Sequence, residues 1–161
     1  MEIKEGVQLF FTVITGIATT GTFLFMLFDR TPKCEIQIKA GFDKVDEIEV
    51  PKLVVTIINT GRSDFFIART WILSNEDKIA YLVHLSSNDF LNGFLLSTKR
   101  RVVKDVYLEK VLEQIDPKDL KQPELQLWVE VRTEVGKVFH SKKLSISPEQ
   151  IEQALKGKAR R

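Results

Sequence analysis

The sequence predicts a mainly β domain, a sandwich or a small barrel, preceded by one transmembrane helix and followed by a short helix. Three features carry this expectation. Val7 to Phe28 reads VQLFFTVITGIATTGTFLFMLF without a charge. From Cys34 onward the apolar residues stop running together and alternate with polar ones, the period of a half-buried strand. Turn chemistry then separates these runs at Asn59-Thr60-Gly61, Asn92-Gly93 and Glu134-Val135-Gly136.

The organisation follows from these breaks: a tail at 1–6, a transmembrane helix at 7–28, a linker at 29–33, the β domain at 34–146, and a C-terminal helix with a basic tail at 147–161. A helix over 7–28 reaches roughly 33 Å at 1.5 Å per residue, against a hydrocarbon core of about 30 Å. Its threonine hydroxyls can bond back to the helix's own carbonyls. The start MEIKEG lacks the basic region of a cleavable leader. Thr12, Gly16 and Thr20 share one helical face at a spacing that lets two helices approach closely, which predicts self-association or docking on a partner's helix. Lys4 before the stretch is outweighed by Arg30, Lys33, Lys39 and Lys44 after it, which predicts a cytoplasmic β domain on a single-pass membrane protein.

Within the domain, strands are expected at 35–40, 53–58, 65–73, 78–85, 94–97 and 101–108, then as a hairpin of 124–133 with 137–146. Leu53 to Ile58, LVVTII, is the β-branched run of a central strand. Asp43, Asp46, Glu47 and Glu49 read as a solvated loop before Val50-Pro51. Residues 109–115 suggest one or two helical turns before Asp116-Pro117. Ser147-Pro148-Glu149-Gln150 is a helix start, with a serine cap, proline at the first position and glutamine three residues on. Ile151 and Leu155 would share the packed face.

A strand ending in INTG, an aromatic-rich strand after it, and the late hairpin VEVRTEVGKVFHSKKL resemble small uncharacterised bacterial proteins. Those join one N-terminal span to an immunoglobulin-like β-sandwich. The resemblance implies that fold and an anchor, and it carries no activity; in a bacterial host the anchor would sit in the inner membrane.

Catalytic constellations are not expected. His84 and His140 each sit in a predicted strand next to apolar residues; a catalytic reading would need a nucleophile and an orienting carboxylate near them, no GxSxG elbow is present, and Cys34 is far from both in sequence. Cys34 is the single cysteine, so neither an internal disulfide nor a CxxC zinc site can form. Glycine-rich phosphate loops are absent. No cofactor and no metal are expected.

The net charge is +2, and the tail alone holds Lys156, Lys158, Arg160 and Arg161, so the rest of the chain is close to neutral and does not read as a nucleic-acid binder. That tail and a second cluster, Lys99, Arg100, Arg101 and Lys104, are candidates for contact with anionic lipid headgroups. The expected role is non-enzymatic: a membrane-anchored interaction or accessory module that tethers a protein partner at the bilayer. The alternative is a membrane effector whose β domain senses a ligand and whose helix oligomerises to disrupt the bilayer. Phe65, Phe66, Trp71, Phe90, Phe94 and Trp128 are the residues from which an exposed patch could be built.

Overall fold

The computed structural model describes residues 12–22, 31–45, 48–75, 78–85, 93–120, 122 and 124–158. The described strands are β1 (Cys34–Val45), β2 (Ile48–Asn59), β3 (Phe65–Ser74), β4 (Lys78–Leu82), β5 (Phe94–Leu96), β6 (Arg101–Tyr107), β7 (Leu125–Thr133), β8 (Val138–His140) and β9 (Leu144–Ile146). The described helices are α1 (12–22), α2 (Leu108–Leu112), α3 (Pro117–Leu120) and α4 (Pro148–Lys158).

Two separate antiparallel sheets form, so the barrel alternative is not realised among the described residues. The smaller has the order β1-β2-β6; the larger has β4-β3-β7-β8, with β5 beside β3 and β9 beside β7. The alternation of apolar residues sets which face each strand buries. Leu53, Val55 and Ile57 of β2 point inward, opposite Ala40, Ile38 and Ile36 of β1. Leu125, Leu127, Val129 and Val131 of β7 do the same from the other sheet and join them in a single core. Each such side chain contributes roughly 1.5–3 kcal/mol when taken out of water. Val111 and Leu112 of α2, with Ile151 and Ala154 of α4, extend that core.

The transmembrane helix predicted for Val7 to Phe28 is not found. Among the described residues no helix is long and apolar enough to cross a membrane. The described helix in this stretch is α1, residues 12–22, which at 1.5 Å per residue covers roughly 16 Å, about half the hydrocarbon thickness. Val7 to Phe11 and Phe23 to Phe28 lie outside the described residues.

Several boundaries also move, each for a physical reason. Two of the four acidic residues expected in a loop are in strands: Asp43 pairs with Val50, and Glu49 with Lys44, in the β1–β2 pair, while Asp46 and Glu47 lie outside the described residues. Pro51 is tolerated in β2 because β6 begins pairing only at Lys52, opposite Tyr107. The return strand at 137–146 divides into β8 and β9. Ser141 causes the break, since its Oγ accepts from the Val129 amide while its own amide donates to the Val129 carbonyl. Helix α3 was not expected; Asp116 starts it by accepting from the Lys118 amide at 2.9 Å. At α4 the expected cap forms, with Ser147 and Gln150 bonding each other's amides. Its packed face uses Ala154 beside Ile151, and Leu155 is exposed.

A bulge in β3 between Ile67 and Arg69 changes the strand's phase. Phe65 and Ile67 face the core before it, and Thr70 and Ile72 after it. Gly93 packs against this bulge at φ +67, so close that a Cβ there would lie 2.8 Å from the Ile67 carbonyl oxygen. At the same end of the sandwich, buried Asn59 donates to the carbonyls of Ser63 and Leu96 and accepts from the Gly61 amide. One side chain thereby ties the β2–β3 loop to β5.

Candidate functional site

The outer face of the larger sheet gathers the residues best suited to recognition. Strand register fixes which side chains stand side by side. One row runs across four strands as His140, Glu130, Trp71 and Leu82. On one side of it lie Val138, Arg132 and Arg69. On the other lie Trp128, Leu73 and Ile79. The bulge in β3 is what brings Arg69 and Trp71 to this face, because without the extra residue their side chains would follow the opposite phase.

Trp71 is the centre. The Arg132 guanidinium lies 5.3 Å from its ring centroid and that of Arg69 lies 6.0 Å away. Each such contact is worth about 0.5–1 kcal/mol at an exposed site. Glu130 supplies the countercharge: its carboxylate is 3.4 Å from Arg132 Nη2 and 3.1 Å from His140 Nε2. Trp128 is buried beneath the Lys143 ammonium, which sits 4.7 Å from its ring. Along these rows Ile79 at 59%, Leu82 at 38% and Val138 at 37% remain open.

This composition, tryptophan and arginine amid exposed aliphatics, is that of protein-interface hot spots. Guanidinium groups placed over a ring keep N–H donors for a partner's carboxylates or carbonyls. His140 Nε2 faces the Glu130 carboxylate at 3.1 Å.

The residues singled out from sequence are not brought together. Thr12, Gly16 and Thr20 all lie on α1, where a Cβ at Gly16 would meet nothing within 4 Å and the Thr20 hydroxyl donates to the Gly16 carbonyl at 2.8 Å. Lys99 and Arg100 occupy the exposed β5–β6 turn, Arg101 starts β6 beside Ile58, and Lys104 pairs with Val55 on the opposite side of that strand. Lys156 pairs with Glu152 at 2.7 Å, which holds the Glu152 carboxyl below its ordinary range. Lys158 ends α4, and Arg160 and Arg161 lie outside the described residues. His84 is far in sequence from His140 and follows β4. No group of three or more metal-ligating side chains occurs among the described residues. Of the aromatic residues, Phe65 is core, Phe94 packs against it, Phe66 is exposed, and Phe90 lies outside the described residues.

Sequence patterning put Glu130 and Arg132 at polar positions of β7 and left Trp71 undecided between core and surface. The missing signal was register. Only the pairing of Trp71 with Glu130, set by the bulge, reveals the row.

No family model matches this chain, and none of the curated proteins does. Among solved structures it is similar to a crystal structure of a protein described as ApaA from Bordetella pertussis, at 14% identity and a TM-score of 0.37 over 72% of this chain and 94% of that one. It is also similar to an X-ray structure of a structural-genomics target, SoR45, at 14% identity and a TM-score of 0.32, over 74% of this chain and 88% of the other. At such scores neither likeness bears on the function.

Proposed function

We propose that this chain is a binding module that holds a protein partner on the outer face of its larger sheet. The observation that supports this reading is the Trp71 centre: an indole with two guanidinium groups over it, flanked by Leu82 and by the Glu130–His140 pair. A side chain of that size gains most from becoming fully buried, and the flanking arginines add specificity for carboxylates.

The reading makes Trp71 the residue to remove. In affinity capture with the full chain, Trp71→Ala should lose the bound partner, a drop of tenfold or more in recovery. Val103→Ala, at a 48% exposed valine on the outer face of the smaller sheet, should retain it. Thermal melts on both variants separate lost binding from lost folding. Equal recovery by the two folded variants contradicts the proposal.

A further inference from the structure

We infer that the end of the sandwich where residues 31–33 join the domain is a docking surface for an anionic lipid bilayer. Backbone contacts show which segments converge there. The Thr60 amide donates to the Lys33 carbonyl and the Asn59 amide to the Arg100 carbonyl. The Glu134 amide donates to the Phe66 carbonyl, which brings the β7–β8 turn against β3. Lys137 Nζ donates to the Pro32 carbonyl at 2.9 Å.

Cations dominate this end. Lys33, Arg62, Lys99, Arg100, Arg101 and Lys137 are all exposed there. The acids are fewer: Glu35, Glu134 and Asp64, and the Asp64 carboxylate accepts from the Thr98 amide and hydroxyl. Amid the cations stand three exposed apolar side chains. Phe66 and Leu95 are cross-strand partners, 41% and 47% exposed, and Val135 tips the β7–β8 turn at 78%. Apolar tips within a basic ring are the chemistry of an interfacial site, where the tips enter the headgroup layer and the cations meet the phosphates. A protein carboxylate patch would match the charges but give the tips nothing to enter.

Lys99 adds an independent sign. It sits at φ +56, in the left-handed region, and is the only such non-glycine residue among those described. Asparagine or glycine would hold that turn at lower cost. The lysine places a charge at the tip of the turn.

The test uses the full chain and vesicles of phosphatidylcholine with or without phosphatidylserine. The wild type should bind the phosphatidylserine vesicles more tightly, with the difference lost at high salt. Lys99→Glu combined with Arg100→Glu should weaken that binding about tenfold or more, the scale two interfacial cations carry. Lys118→Glu, in α3 at the far end, should leave it unchanged. Lys99→Asn keeps the left-handed turn while removing the charge, so it should melt no lower than wild type yet bind several-fold more weakly. A polarity-sensitive dye on Val135→Cys should shift to the blue on phosphatidylserine vesicles alone. Burial pushes the Cys34 thiol up to about 12, so labelling at neutral pH goes to position 135. Equal binding to the two vesicle types, unchanged binding by the charge variants, or an unshifted dye overturns the inference.

Discussion

Asn59 shows how a single side chain can govern the shape of one end of the molecule. It is 1% exposed, and its amide makes three hydrogen bonds to the Ser63 and Leu96 carbonyls and the Gly61 amide. The run INTG read from sequence as a turn, and that much was legible, because asparagine and glycine favour turns through their own backbone geometry. The reach from Asn59 to Leu96 was not, since it joins residues far apart in the chain. Asn59→Ala leaves these backbone groups without a partner in a dry site. We expect a loss of roughly 3 kcal/mol, measured by urea unfolding with an unchanged slope. A loss below about 1 kcal/mol would mean water replaces the amide there. Trp71 illustrates the opposite case, in which identity was visible and role was not. Its neighbours Glu130 and Leu82 become neighbours only through pairing.

Among the elements, β3 decides the most. Its apolar content predicted a strand, but not the bulge between Ile67 and Arg69. An even alternation through FFIARTWIL would place Phe65, Ile67, Arg69 and Trp71 on one face, which buries a charge. The bulge resolves that conflict, since one extra residue sends Arg69 and Trp71 outward and Thr70 and Ile72 inward. Gly93 is the support. Its φ of +67 suits glycine, and its Cα packs directly against the Ile67 carbonyl. Gly93→Ala therefore forces the bulge to shift, at a cost of about 2 kcal/mol or more. We also expect weaker arginine–indole contact, seen as a change in Trp71 fluorescence in a Trp128→Phe background. An alanine variant with wild-type stability and spectrum would show that the bulge does not depend on this contact. The β1–β2 hairpin makes a related point. The charge at Asp43 suggested a loop, yet Lys52 bonds Asp105 at 2.6 Å and lies 3.9 Å from Asp43, so ion pairing across the smaller sheet's outer face accommodates it.

At the scale of the whole molecule, the strand content and most turns were legible because alternation and turn residues are local signals. Sheet order, the split of β8 from β9, and the phase of β3 were not, because each depends on contacts between distant residues. The apolar stretch near the start was read as a membrane-crossing helix from hydrophobicity and length together. The described helix at 12–22 falls short of the required length. What the fold does assemble is a face, with Trp71 at its centre and Arg69, Arg132, Glu130, His140 and Leu82 around it. The most direct test of its role is site-specific photo-crosslinking in living cells, comparing a photoreactive residue at Leu82 with one at Val103, two exposed aliphatic positions on opposite outer faces. A discrete adduct from position 82, absent from position 103 and abolished when Trp71→Ala is added, is the predicted result. Adducts of equal yield from both positions, or an adduct at position 82 that survives the loss of Trp71, would contradict it.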